Sequence, residues 1–182
     1  MFEEVDRNPL REIFQPSRIV LAIVKDDIND KWNFLPIAFN MNCGYTPLTF
    51  CFAIHDINYS YELLERATSF SIAIPGEKLS SVTLQSGLES GKNIDKFNKF
   101  NITPILSNDG KEYLGIRECI ANIFCKKINF IKVSDHAIVV GEVTRILRDF
   151  SNKERNLLSI SSDTRGYHVL EQKSIHRIAI KN

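Results

Sequence analysis

The stretch Arg-Ile-Val-Leu-Ala-Ile-Val, residues 18–24, is the clearest strand in the 182-residue sequence. Its uninterrupted run of apolar, mostly branched residues is typical of a buried strand. A turn-forming segment from Asp26 to Asp30 follows, and a second apolar stretch runs from Trp32 to Phe39. This connection, like most of those between the predicted strands, is too short for a crossover helix, which favours an antiparallel sheet.

Similar patterns continue along the chain. They predict further strands at 48–54, 71–74, 118–125, 128–133, 137–147 and 175–180. Ser60 is predicted to cap a short helix that runs to Phe70, and residues 77–100 are predicted to be mainly helical. The sequence therefore predicts a mainly β fold, an antiparallel barrel with a few inserted α-helices, forming a single domain over residues 1–182.

The charge balance excludes two classes of partner. Lys and Arg number 23 against 22 Asp and Glu, so the formal net charge is +1. A nucleic-acid-binding protein usually carries a basic surface that neutralises phosphates, and a membrane-surface protein carries a polybasic segment. We therefore expect no nucleic acid and no membrane as partner, which leaves a small molecule or another protein.

The N-terminus and the cysteines indicate the compartment. The first 14 residues hold Glu3, Glu4 and Asp6 and lack the apolar centre of a signal peptide, and no apolar run reaches the ~18 residues of a membrane span. The cysteines at 43, 51, 119 and 125 form no zinc-binding spacing, so reduced, buried thiols are expected. The protein is predicted to be cytoplasmic.

The sequence holds no pattern of acid–base, nucleophilic or metal chemistry. There is no Gly-x-Ser-x-Gly turn, no cysteine beside a histidine, and no phosphate-binding glycine motif. His55 with Asp56, and Asp135 with His136, are pairs without a third metal ligand at a useful spacing. We therefore predict no catalytic side chain and no metal site.

Three segments do suggest ligand binding. The apolar segment 33–40 is flanked by amides and is predicted to be a loop whose peptide groups bind a flat polar ring. Asn58-Tyr59-Ser60 stands at a predicted helix start, where free N–H groups and hydroxyls suit a phosphate. Residues 90–97 place small residues and two lysines beside another helix start. Each segment alone is also compatible with ordinary packing, capping or a solvated surface.

The order of the motifs resembles a known family. The motifs are Pro-Ser-Arg-Ile-Val-Leu at 16–21, Asn-Phe-Leu-Pro-Ile-Ala-Phe at 33–39, Thr-Pro-Leu at 46–48, Asn-Tyr-Ser-Tyr-Glu-Leu-Leu at 58–64, Phe-Ser-Ile-Ala-Ile-Pro at 70–75, Ser-Gly-Lys at 90–92, Asp-Lys-Phe at 95–97, and Asp-His-Ala-Ile-Val-Val-Gly-Glu-Val at 135–143. Over roughly residues 14–170 the chain looks like the flavin reductase-like, FMN-binding split-barrel family that includes flavoredoxin.

This resemblance implies a six-stranded antiparallel split β-barrel, a homodimer, and one FMN per subunit near the dimer interface. The cofactor-binding residues that it implies are Asn33, Leu35, Pro36, Ile37, Ala38, Phe39, Asn40, Phe52, Ala53, Tyr59, Ser60, Ser90, Gly91 and Lys92. Tyr59 and Ser60 would contact the ribityl phosphate. Lys96 is a further candidate for phosphate charge, and His136 is expected to hold a strand turn.

The resemblance also implies a function. The protein would be a flavin reductase that takes hydride from NADH or NADPH and passes electrons to an acceptor, or reduced flavin to a partner oxygenase. An electron carrier without nicotinamide access, and a barrel that binds another ligand or none, are the alternatives. The chain departs from the family pattern at Pro36 and Ile37, at Ser86-Gly87, and at Asn58, where relatives often hold a cation.

Overall fold

The structure is a computed structural model that describes residues 14–106 and 114–159. Its strands are β1 (Ser17–Arg18), β2 (Val20–Asp26), β3 (Lys31–Ile37), β4 (Asn40–Tyr45), β5 (Leu48–His55), β6 (Ser69–Ile74), β7 (Pro104–Leu106), β8 (Leu114–Ile116), β9 (Ala121–Val133), β10 (His136–Arg148) and β11 (Leu158–Ser159). Its helices are α1 (Tyr59–Arg66), α2 (Ser80–Leu88) and α3 (Lys96–Lys99), with a 3₁₀ turn at Glu77–Leu79. The strand predicted at 175–180 lies outside the described residues.

The principal sheet closes into a barrel because its two edge strands follow each other directly in the sequence. Its strand order is β3-β2-β6-β9-β10-β5-β4, and every pairing is antiparallel. The two outer strands, β3 and β4, are separated only by Ala38 and Phe39. They are the two halves of one bent strand, the first paired with β2 and the second with β5. Counted in this way the barrel has six strands, and the predicted fold class is confirmed.

The two faces of β2 explain why its sequence is apolar throughout. Val20, Ala22 and Val24 point into the barrel, whereas Leu21 and Ile23 belong to a second apolar cluster outside it. That second cluster also contains Leu79 and Phe97, from the 3₁₀ turn and α3. A strand covered on both faces has no solvent-facing positions for polar residues, so the alternation is lost.

Several predicted boundaries were wrong. Helix α1 has Asn58 at its N-cap position rather than Ser60, and it ends at Arg66. The predicted helical region 77–100 is divided into separate helices by residues 89–95. The strands predicted at 118–125 and 128–133 form one strand, β9. Cys43 is exposed, whereas Cys51, Cys119 and Cys125 are buried as expected, and all four are free thiols.

Candidate functional site

A cavity of about 460 Å³ opens beside β3, at the split in the barrel. Its walls come from β3, the end of β5, the β5–α1 turn, and the segment 86–91, which comprises the last turn of α2 and the residues after it. The lining residues are Asn33, Leu35, Pro36, Ile37, Ala38, Phe39, Ala53, Ile54, His55, Ile57, Asn58, Tyr59, Ser60, Ser86, Gly87, Leu88, Glu89, Ser90, Gly91, Lys96 and His136. A volume of this size is typical of sites for small molecules and cofactors.

Most of the residues predicted to bind a cofactor meet in this cavity, and three do not line it. The Asn40 amide donates to the carbonyl of Arg18 at 2.8 Å. Phe52 is buried in the barrel interior. Lys92 is exposed. Sequence motifs placed these three next to lining residues, but strand alternation and loop direction turn them elsewhere.

The segment 33–40 was predicted to be a loop, and most of it is the edge strand β3. The carbonyl of Phe34 accepts a hydrogen bond from Lys96 Nζ at 2.8 Å, so the polar groups of Phe34 point away from β2. Pro36, two residues on, has the same orientation, and its missing N–H interrupts no pairing with β2. This free backbone edge, without a donor at Pro36, forms one wall of the cavity.

Asn33 presents an unpaired polar atom at the cavity wall. Its amide nitrogen donates to Ser60 Oγ at 2.7 Å, and the Asn33 side chain is only 2% exposed. Its Oδ1 is buried and has no hydrogen-bond partner among the described residues. A buried carbonyl oxygen without a partner costs stability, so Oδ1 is a candidate acceptor for a ligand.

Two glycines bring the segment 86–91 against β3. A Cβ built on Gly91 would overlap the Asn33 amide, and one built on Gly87 would lie 2.9 Å from Pro36 Cγ. The constraint at both positions is space, because any side chain would push this wall of the cavity away from the strand. The Ser86-Gly87 pair, a departure from the family pattern, therefore has a packing role.

Lys96 connects β3 with the last turn of α2, which form two walls of the cavity. Its ammonium donates to the carbonyls of Phe34 at 2.8 Å and Ser86 at 2.7 Å, and the residue is 2% exposed. Burial lowers the pKa of Lys96 to about 8, an effect that the charge of Glu89 partly opposes. An ammonium has three donors, so one N–H remains for a ligand in the cavity that Lys96 lines.

This buried ammonium predicts a pH dependence of stability. The pKa of Lys96 is lower in the folded chain than its ordinary value of 10.5, so the unfolded chain binds the proton more tightly. The resulting penalty is fully present below pH 8 and is relieved as the pH rises from about 8 to 10.5, by up to about 3 kcal/mol. Urea unfolding of the cofactor-free protein should therefore show the stability of the wild type rising over this range relative to Lys96→Met. Thiol titration is common to both proteins and cancels in the difference; parallel curves would contradict the assignment.

Tyr59, the first residue of α1, was predicted to contact a phosphate, but its hydroxyl is bound to the end of β2. Its hydroxyl donates to Asp26 Oδ2 at 2.5 Å, and Asn29 Nδ2 donates to the same oxygen at 2.8 Å. Burial raises the pKa of Asp26, but the hydrogen bonds from Tyr59 and Asn29 outweigh it and hold the pKa below its usual value. Asp26 in turn raises the pKa of Tyr59. This pair fixes the β2–β3 turn against α1.

The cavity is also lined by residues that were not among the predicted cofactor-binding residues. His55 and His136 line it from paired positions on β5 and β10, and Ile57 and Leu88 lie at its rim. The two histidines lie 81 residues apart in the sequence, and only the pairing of β5 with β10 brings them together. His136 begins β10 beside the β9–β10 turn, as predicted, and also faces the cavity.

The described residues contain neither a metal-binding cluster nor a membrane-spanning helix. Over 14–106 and 114–159, no group of three or more His, Cys, Asp or Glu side chains is arranged to hold a metal ion. Within the same ranges, no helix has the length and apolar character needed to cross a membrane.

A barrel that opens in a cavity at its bent edge strand is a split barrel. The chain belongs to the family described as flavin reductase like domain, which matches residues 12–168. An uncharacterized protein of Archaeoglobus fulgidus is 26% identical over 117 residues, covering 64% of this chain and 66% of that protein, just under two thirds of its length.

Solved structures show the same fold. The flavoredoxin of Desulfovibrio vulgaris (Miyazaki F) has a TM-score of 0.82 at 20% identity, covering 97% of each chain. An NADH:FAD oxidoreductase of Streptomyces globisporus has a TM-score of 0.78 at 14% identity, covering 96% of this chain and all of that one. Identities this low establish the fold and leave the ligand to be argued from the site.

Proposed function

We propose that the cavity binds FMN and that the protein is a flavin reductase using NADH or NADPH. The observation that carries the proposal is the buried Oδ1 of Asn33, a cavity-lining residue; this oxygen has no hydrogen-bond partner among the described residues. The polar edge of an isoalloxazine ring offers an N–H donor between two carbonyl acceptors. Asn33 supplies an acceptor for the N–H, and Lys96 supplies a donor for a carbonyl.

The remaining residues fit a planar cofactor with a polar edge. Leu35, Ile37 and Ala53 provide apolar walls, and the free edge of β3 provides backbone groups. Bound FMN would supply the capacity to accept hydride from a nicotinamide and to pass electrons on. The chain contributes position and charge: the ammonium of Lys96 favours electron density on the nearby part of the ring. FAD binds some relatives, and the same polar edge would serve it.

The competing functions share the cavity and differ in access for the electron donor. A flavin reductase admits a nicotinamide, whereas an electron carrier keeps FMN without this access. Anaerobic addition of NADH, and separately NADPH, to the FMN-loaded protein tests the difference. Loss of the flavin absorbance band supports the reductase; a band that only dithionite removes indicates a carrier. A reductase could pass electrons to an oxygenase or to another acceptor, and we propose a cytoplasmic setting for this exchange.

We also propose a homodimer, because an apolar sheet face continues from the cavity. Ile131, Ile138 and Ala53 are direct neighbours across β9, β10 and β5, and Ala53 also lines the cavity. Ile131 is exposed, as is Met41 further along the same face. A second copy covering this face would bury these side chains and enclose the open side of the site.

Replacing Ile131 with lysine should therefore yield a monomer, because the substitution places a charge in the centre of the buried face. Light scattering should give twice the chain mass for the wild type and the chain mass of 20.8 kDa for Ile131→Lys. Ile28→Lys is the matched control, since Ile28 is an exposed isoleucine in the β2–β3 turn. A dimeric Ile131→Lys protein would place the interface elsewhere.

A further inference from the structure

The mouth of the cavity holds a cluster of two histidines and two aspartates that the proposed cofactor site does not use. His55 and Asp56 end β5, and Asp135 and His136 precede and begin β10. His55 and His136 are direct partners in the sheet, and their ring centroids are 4.7 Å apart. The side chains of both histidines line the cavity.

Hydrogen bonds fix His136 in one orientation. Its Nδ1 donates to Asp135 Oδ1 at 2.8 Å, which leaves Nε2 for another partner. His136 also lowers the pKa of the Asp135 carboxyl, which is therefore ionised at neutral pH. His55 lies on the other side of Asp135, with Nε2 3.7 Å from Oδ2, and its Nδ1 bonds Asp56 at 2.8 Å. Asp135 and His55 thus act as positioning residues for His136.

An aromatic ring lies beside this polar cluster, and two exposed apolar residues line the same cavity. The ring of Phe39 lies 6.1 Å from the ring of His136, and Phe39 is 51% exposed. Ile57, in the β5–α1 turn, and Leu88, the last residue of α2, also line the cavity and are 82% and 81% exposed. Exposed apolar residues that line a cavity suit a flat apolar ligand.

We propose that His136 binds the acidic hydroxyl of an aromatic ligand, a phenol, at the mouth of the cavity. Phe39, Ile57 and Leu88 contact its ring. The charges favour this ligand class over a phosphate, because a dianion would lie beside the carboxylates of Asp56 and Asp135. A phenol, neutral or singly charged, meets less repulsion and offers one oxygen to one imidazole. This phenol site is formed by residues at the mouth of the cavity and does not require the proposed cofactor.

The probe is 4-nitrophenol, whose absorbance reports both binding and ionisation. Titrated against the purified protein, it should bind saturably, with a spectral shift on binding. The matched ligand is 4-nitroanisole, which has the same ring and no hydroxyl proton. His136→Gln should weaken 4-nitrophenol binding about tenfold and leave 4-nitroanisole binding unchanged, because only the hydroxyl contacts His136. His55→Gln should have a smaller effect in the same direction.

Two readouts keep the test decisive. Chemical shifts of the histidine C2 protons in the unmodified protein should move when 4-nitrophenol is added, which requires no variant to fold. Equal affinity of the wild type and a folded His136→Gln protein for 4-nitrophenol would overturn the proposal, as would an equal loss with 4-nitroanisole. FMN titration of the same preparations separates the two hypotheses: absent FMN binding would contradict the proposed cofactor and leave this site standing.

Discussion

Replacing Gly91 with valine is expected to abolish measurable FMN binding. A Cβ at this position would overlap the Asn33 amide, and the larger side chain has no space between the segment 86–91 and β3. Asn33 would then have to leave Ser60, breaking a buried hydrogen bond and removing the acceptor from the cavity wall. Loss of the acceptor costs binding about 1–3 kcal/mol, and displacement of the cavity wall adds to this, so binding should weaken by roughly 100-fold or more. Quenching of FMN fluorescence during titration of the cofactor-free protein measures this.

Gly76→Ala is the matched control for that experiment. A Cβ there would also overlap a side chain, that of Glu154, which lies far from the cavity residues. The overlap includes Glu154 Cβ at 2.7 Å, so the segment that carries Glu154 would have to shift locally. Glu154 does not line the cavity, so FMN affinity should stay at the wild-type value. Wild-type affinity in a folded Gly91→Val protein would show that the wall formed by segment 86–91 does not contact the cofactor.

Asn33→Leu should separate ligand affinity from stability. Leucine removes an oxygen that lacks a protein partner, so the stability lost with the Ser60 hydrogen bond is offset by relief of a buried unpaired group. The free energy of unfolding of the cofactor-free protein should change by less than about 1 kcal/mol. FMN affinity should fall roughly 10- to 100-fold, because the ring loses its acceptor. Urea unfolding and FMN titration provide the two measurements.

Asn122→Leu is the corresponding control, because Asn122 is a buried asparagine whose amide is fully paired. Its Oδ1 accepts from the Ile116 N–H at 2.8 Å and its Nδ2 donates to the Ile116 carbonyl at 2.9 Å. This substitution should destabilise the protein by roughly 1–3 kcal/mol per unpaired backbone group and leave FMN affinity unchanged. If Asn33→Leu instead behaves like Asn122→Leu, Asn33 is a structural residue.

The sequence predicted the barrel well because its strands carry local signals. The unbroken apolar run of β2 indicated burial on both faces, and the short connections indicated antiparallel pairing. Residues 33–40, an apolar segment flanked by amides, were taken for a loop, whereas most of them form the strand β3. Proline is compatible with β3 because the polar groups of residues 34 and 36 point away from β2, and the side of a strand that stays unpaired is decided by tertiary structure.

The site was only partly predictable, for a different reason. Asn33, Ser60 and Gly91 were found through motifs, but their hydrogen bond and close approach depend on three separate segments meeting. Lys96 stands in a charged stretch that looks solvent-exposed, and its burial follows from the fold around α3. His55 carries no motif, and only its register opposite His136 shows its position at the cavity.

The central claim is that this cavity holds FMN, and titration of the cofactor-free protein with FMN tests it most directly. We predict saturable quenching of flavin fluorescence with one FMN bound per chain, lost in Gly91→Val and retained in Gly76→Ala. Fluorescence that stays proportional to added FMN, with a folded wild-type protein present, would contradict the claim.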